Sequence, residues 1–338
     1  MILIDGLHIN MGGGKVLLYY LIEELEKTNK EIFYLLDERI QNNLPIIKSS
    51  NQVKFLYANF INRYKFYSQN KDRFTTVFCF GNLPPYKRMK AFTITYFHQQ
   101  MYIQVPKDFK LAQRLLFYLK TFVLSKTIRN TNLWIVQNNV LKKDFSKKYK
   151  IDLDKISILP FYPPLSLKSK EDNFVNREKY SYIYVSNATP NKNHQRLITA
   201  FCEFFDKYKI GTLTLTVSEN YLEVKGVIEA KQKAGYPIKN IGFVERNKLS
   251  EYYQNTEYLI FPSLAESFGL GIVEAIDNGC KIIGADLPYM HAVCEPSILF
   301  KPLDIFSIVK AFEDSITNKK ESISYVKNNI IDIINLLE

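Results

Sequence analysis

Short apolar runs alternate with helix-period stretches along both halves of the chain, and this alternation restricts the possible folds more than any other feature. In the first half ILID (2–5), EIFYLL (31–36), VKFLYA (53–58), TVFCF (76–80), FTITYF (92–97) and LWIVQ (133–137) have the length and β-branched or aromatic content of buried strands. Amphipathic segments such as 15–28 separate them. In the second half YSYIYVS (180–186), TLTLTV (212–217), EYLIF (257–261) and CKIIG (280–284) are strand-like, with helical patterns at about 193–208, 222–234, 270–278 and 304–316 between them. A strand apolar on both faces needs cover on both. Parallel strands joined by helical crossovers provide it. The pattern occurs twice, so the sequence predicts an α/β fold of two Rossmann-like domains facing a cleft.

The length, 338 residues, suits two domains rather than one, and a hydrophobic content of 46% supplies both cores. The stretch LPFYPPLSLKSKEDN (159–173) has three prolines followed by a polar run without period, as a domain junction would. The expected division is 1–165, 166–320 and a C-terminal helix over 321–338 that packs back on the first domain. Cys79, Cys202, Cys280 and Cys294 show no paired spacing, which argues against a disulfide framework or a zinc site and for a reducing cytoplasm. MILIDGLHIN reads as a first strand rather than a leader peptide. No run of about 18 apolar residues is present to span a bilayer.

Net charge is +11, and it is concentrated: residues 51–150 hold 19 Lys/Arg against 3 Asp/Glu. Such a bias points to an anionic partner: nucleic acid, an acidic membrane surface or a phosphorylated acceptor. No nucleic-acid-binding signature accompanies it. Within 108–129, helical spacing puts Lys110, Arg114, Phe117, Lys120, Thr121 and Leu124 on one face. Leu111, Leu115, Tyr118, Leu119 and Phe122 fall on the other, which is expected to face the core. The lysine-bearing face suits an anionic lipid surface.

The segment PSLAESFGLGIVEA (262–275) carries two glutamates, Glu266 and Glu274, in apolar surroundings. EYLIFPS reads as a strand running into a loop. FGLGIVEAIDNG reads as a helix in which Leu270, Val273 and Ile276 or Asp277 recur and Gly279 stops the pattern. Glu266 therefore falls in a strand-to-helix loop and Glu274 inside the following helix. Such loops at the carboxyl edge of an open sheet are where ligands bind. The backbone N–H groups of Phe268, Gly269 and Leu270 at a helix start suit a phosphate, and carboxylates suit sugar hydroxyls.

This stretch resembles the E-x7-E signature of retaining glycosyltransferases of the GT-B fold, family 4 in particular. YVSNATPNKNHQRLITAF (184–201), MGGGKVLLYYLI (11–22), FGNLPP, TYFHQQMYI and ILPFYPP are similar to further parts of that family, in the same order along the chain. The resemblance implies that Glu274 holds ribose hydroxyls of a nucleotide sugar and Glu266 hydroxyls of the transferred sugar. Lys192 would pair with the diphosphate. Asn187, Ser267, Phe268, Gly269 and Leu270 would line the donor site. Gly12, Gly13 and Gly14 would form a loop against the donor phosphates, and His98 would position the sugar near the reacting centre. The family carries an Arg about five residues before the Lys, where this chain has Asn187, and Arg196 is expected on a helix face.

The function so implied is transfer, with retention and without a metal or other cofactor, from a nucleotide diphosphate sugar to a lipid-linked glycan acceptor of a bacterial surface polysaccharide such as O-antigen or capsule. The expected place is the cytoplasm, with peripheral attachment to the inner face of the cell membrane. A nucleotide-sugar epimerase or a phosphorylase of the same architecture, and a non-catalytic subunit of a polysaccharide-assembly complex, are the competing possibilities. The acidic pair in DLD (152–154) matches an Asp-x-Asp metal motif of another glycosyltransferase fold, but its polar setting reads as a turn.

Overall fold

Every long-range strand pair in the two large sheets is parallel, as the crossover pattern requires. The structure, a computed structural model, describes residues 1–103, 105, 111–165 and 177–337. It divides into two compact units, Met1–Pro163 with Lys327–Glu338, and Pro164–Val326. The part of the expected junction from residue 166 to 173 lies outside the described residues, as does Lys110.

In the first unit the strands are β1 (Ile2–Gly6), β2 (Ile32–Asp37), β3 (Gln52–Leu56), β4 (Thr76–Cys79), β5 (Phe92–Phe97), β6 (Leu133–Val136) and β7 (Ile156–Ile158). Their spatial order is β3-β2-β1-β4-β5-β6-β7. The chain grows outward from β1 to β3, then crosses back to place β4 on the other side of β1. The order therefore reverses between β1 and β4, and loops leaving the carboxyl ends of these two strands diverge to form a crevice. Helices α1 (Gly12–Glu26), α2 (Phe60–Gln69), α3 (Leu111–Thr127) and α4 (Asn139–Tyr149) make crossovers. β1 and β2 are buried along their whole length. The run VKFLYA differs from expectation: β3 lies at the sheet edge, and none of its residues is buried.

α3 reverses the sequence expectation. The Arg114, Phe117, Lys120, Thr121 and Leu124 face turns inward: Leu124 is fully buried and Phe117 packs on the cluster of Phe97, Tyr102, Trp134 and Phe145. Leu111, Leu115, Tyr118, Leu119 and Phe122, assigned to the core, stand in solvent together with Leu116. Periodicity pointed to the more apolar face as the buried one, yet that is the face left in solvent. The aromatic pocket beneath α3 fixed the rotation, with Tyr102 meeting Phe117 edge-on at 6.1 Å between ring centroids.

The second unit contains β8 (Glu178–Tyr184), β9 (Thr212–Leu215), β10 (Ile238–Asn240), β11 (Thr256–Phe261), β12 (Lys281–Ala285), the two-residue β13 (Cys294–Glu295), β14 (Ile298–Phe300) and β15 (Ile323–Ser324). The large sheet runs β10-β9-β8-β11-β12-β14, and its order reverses between β8 and β11. Its helices are α5 (His194–Tyr208), α6 (Leu222–Lys233), α7 (Arg246–Asn255), α8 (Leu270–Asp277), α9 (Pro288–Val293) and α10 (Ile305–Ser315).

The helical period expected over the last twenty residues holds only for Ile330–Asn335. Upstream, β15 pairs antiparallel with β13, and Ser322 Oγ accepts from the backbone N–H groups of Ile282 (2.8 Å) and Ser297 (3.0 Å). Those sheet partners, remote in sequence, override the helical pattern there. Lys327–Glu338 belongs to the first unit, where Asn328 Nδ2 donates to Tyr20 Oη at 3.0 Å. All four cysteines are buried and free. Among the described residues no helix is long and apolar enough to cross a membrane.

Candidate active site

In the second unit, the loops that leave β8 and β11 flank the point where strand order reverses, and hydrogen bonds stitch them together. Leu264 N donates to Asn191 O at 2.8 Å. Asn193 sits in the left-handed region at φ 61°, a conformation asparagine tolerates. Its Nδ2 donates to Pro262 O (3.3 Å) and Pro302 O (2.7 Å), tying in the loop after β14 as well. Tyr184 Oη donates to Lys192 O at 3.1 Å.

This frame brings together two residues 74 positions apart. Lys192, closing a short 3₁₀ turn after β8, forms an ion pair with Glu266 in the loop after β11. Both side chains are more than four-fifths shielded from solvent. Removed from bulk water, each charge depends on the other. An entering anion can compete for the lysine and free the carboxylate to accept hydroxyl donors.

Glu274 lies within α8, 5% exposed, between buried Ile272, Val273 and Ala275. Its partner is Arg246 at the start of α7, whose Nε (3.0 Å) and Nη2 (2.7 Å) donate to Oε1. Burial raises the Glu274 pKa above its ordinary value, and Arg246 opposes that rise. Gly269 precedes α8 at φ 70°, with Phe268 buried beside it. The turn of chain into the helix is one that glycine makes without steric cost. Ser267 and Leu270 are half-buried at the same helix start, whereas Asn187 is exposed. Arg196 lies on the exposed face of α5 and donates to Asn193 Oδ1 at 3.0 Å.

In the first unit, the loops after β1 and β4 flank the corresponding reversal. The three glycines do not form a loop ahead of the helix. They open α1 itself, with Gly12 at φ 62° and no side-chain cap from Met11. Without side chains they can enter the first turn directly. A Cβ on Gly14 would stand 3.2 Å from His98 Cε1, so this glycine gives the imidazole its room. His98 follows β5, stacks on Phe80 at 5.2 Å between centroids, and has its backbone N–H held by Asn82 Oδ1 at 2.7 Å. Its Nε2 is sealed from water without a hydrogen-bond partner. Burial holds its pKa down to about 4, leaving a neutral ring at ordinary pH.

Beneath these loops Asp5 accepts from Arg63 Nε (2.8 Å) and Tyr67 Oη (2.6 Å), and Arg63 Nη2 completes an ion pair with it at 2.7 Å. Arg63 also donates to the carbonyls of Leu83 (2.8 Å) and Pro84 (2.9 Å), fixing the loop after β4. Sequence reasoning did not find Arg246, Asn82, Asp5 or Arg63. Their partners are 16 to 58 residues away, and no local motif marks them. The DLD pair is exposed in a 3₁₀ turn, where Asp152 pairs with Lys155 at 3.2 Å.

Two Rossmann-like domains, each with charged or polar side chains gathered at the carboxyl edge of its sheet, define the class of fold: it is the GT-B fold. Residues 167–331 match the family described as glycosyl transferases group 1. Among curated proteins the chain is similar to the O-antigen chain mannosyltransferase RfbU of Salmonella typhimurium, 24% identical over 184 residues, covering 53% of this chain and 49% of that one. It is also similar to the UDP-N-acetylglucosamine–peptide N-acetylglucosaminyltransferase GtfA subunit of Streptococcus pneumoniae, 31% identical over 153 residues, covering 45% of this chain and 29% of that one. The matched stretch thus spans half or less of these relatives. Among solved structures, sucrose-phosphate synthase from Thermosynechococcus elongatus shares the fold with a TM-score of 0.73 at 14% identity, over 93% of this chain and 89% of that one.

Proposed function

We propose that this protein is a retaining, metal-independent glycosyltransferase of family 4 type. It would move a sugar from a nucleotide diphosphate sugar to a lipid-linked glycan of a bacterial surface polysaccharide, at the inner face of the cell membrane. The observation that carries the proposal is the meeting of Lys192 and Glu266 at the strand-order reversal of the second unit. A cation and a carboxylate exchanging partners there are what a ligand with a diphosphate at one end and hydroxyls at the other requires. The relatives' names, one a mannosyltransferase of O-antigen and one a transferase from a UDP-sugar, support the substrate class.

In this scheme the diphosphate takes Lys192 and the N–H groups at the start of α8, around Phe268, Gly269 and Leu270. Glu266, released from the lysine, accepts sugar hydroxyls. Glu274, held by Arg246 through Oε1, accepts ribose hydroxyls. The bond from the sugar's anomeric carbon to the diphosphate breaks, and the bond to the acceptor oxygen forms on the same face. The acceptor proton passes to the departing phosphate. Lys192 stabilises the charge that develops on that phosphate, and the helix start adds to it. Neutral His98 and the Gly12–Gly14 turn position the reacting groups.

The test is transfer activity together with donor-induced stabilisation. Nucleotide diphosphate sugars should raise the melting temperature, because a ligand that binds only the folded state stabilises it by mass action. Lys192→Ala and Glu266→Ala should each lose most transfer while keeping the fold. Near-normal turnover in either variant rejects the site. Epimerised donor formed without acceptor would favour an epimerase instead, and failure of the lone protein to hydrolyse any nucleotide sugar would favour a non-catalytic subunit.

A further inference from the structure

We infer that the outward face of α3 is a membrane-docking surface that inserts apolar side chains among anionic lipids. Leu111, Leu115, Leu119 and Phe122 are 81%, 68%, 59% and 58% exposed, and Leu116 and Tyr118 lie beside them. A contiguous band of large apolar groups costs free energy in water unless something covers it. The helix is not loose: Leu124 is buried and Phe117 is packed on the aromatic cluster below, so the band is presented on an anchored element.

Charge selects the occupant. α3 contains Arg114, Lys120 and Lys126 and no acidic residue, and the surrounding segment 51–150 has 19 basic residues against 3 acidic. A second copy of the same face would bring like charges together, whereas an anionic lipid surface is complementary to it. Lys126 is exposed, with its Nζ 5.4 Å from the centre of the Phe122 ring, and Arg129 is exposed just beyond the helix. A cation at the rim of an apolar band is the arrangement of a helix lying in the headgroup layer, with lysine reaching phosphates as the ring enters the acyl boundary. The inward lysine-bearing face expected from sequence is thus not the contact surface. Insertion by the leucines is, with lysine as its electrostatic complement.

The test needs vesicles and no sugar, so its failure leaves the transferase proposal standing. The full chain is floated with phosphatidylcholine vesicles, with and without phosphatidylglycerol. Wild type should bind the anionic vesicles and bind neutral ones weakly. Leu115→Glu with Leu119→Glu should weaken binding at least about tenfold, since two inserted leucines are removed. Lys126→Gln should weaken it about fivefold, in low salt only. Phe122→Trp should shift its fluorescence to the blue on anionic vesicles. Vesicle binding that is absent, or equal in wild type and the double variant, overturns the inference. So does a tryptophan emission unchanged by vesicles, or a double variant whose only effect is to turn a solution dimer into monomers. Unchanged melting temperature in the variants shows that loss of binding is not loss of fold.

Discussion

Replacing Arg246 with methionine would strip Glu274 of its cation while keeping the apolar stem of the side chain. Glu274 is 5% exposed and Arg246 26%. Removing one partner of a fully buried pair costs about 3–5 kcal/mol, and the partly exposed guanidinium reduces this to about 1–3 kcal/mol. For a domain of this size each kcal/mol lowers Tm by about 2–4 °C. The sign with pH follows from the carboxyl. Burial raises the Glu274 pKa above 4.5, and loss of the opposing Arg246 raises it further. A group whose folded pKa exceeds its unfolded value contributes stability below the unfolded pKa and loses it as pH rises through the folded one. The deficit of Arg246→Met should therefore be small near pH 4.5 and grow toward neutrality. Glu274→Gln in the same background should recover most of it. The assay is thermal or urea unfolding of the wild type, both single variants and the double variant across pH. A deficit independent of pH, or a double variant no better than Arg246→Met, would refute the reasoning.

Other outcomes can be checked alongside. Arg63→Met leaves Asp5 buried and unpaired, both side chains being at most 2% exposed, and should cost about 3–5 kcal/mol in urea unfolding. Gly14→Val should press on His98, lowering kcat on the order of tenfold to a hundredfold in a transfer assay. His194 is buried against Tyr184 with neither ring nitrogen hydrogen-bonded, and burial, then Lys192, holds its pKa down to about 4 from 6.5. Its neutral form contributes stability above pH 6.5 that is lost as pH falls toward 4, so His194→Phe should flatten the acid limb of the stability profile by about 1–3 kcal/mol.

The sequence by itself determined what local chemistry controls. Alternation of apolar runs and helical periods specified the strands and two α/β halves, because each strand and helix advertises its own burial through its own residues. It also marked PSLAESFGLGIVEA as a strand, loop and helix start carrying two carboxylates. The tertiary structure decided what depends on residues far apart. Strand order, and with it the reversals beside β1 and β8, is invisible to periodicity because any order of parallel strands has the same pattern. The pairing of Lys192 with Glu266, and of Arg246 with Glu274, exists only once those loops meet. The rotation of α3 ran against its local pattern, since the more apolar face is the exposed one. Packing against Tyr102 and its aromatic neighbours chose which face to bury, and so which one meets the solvent.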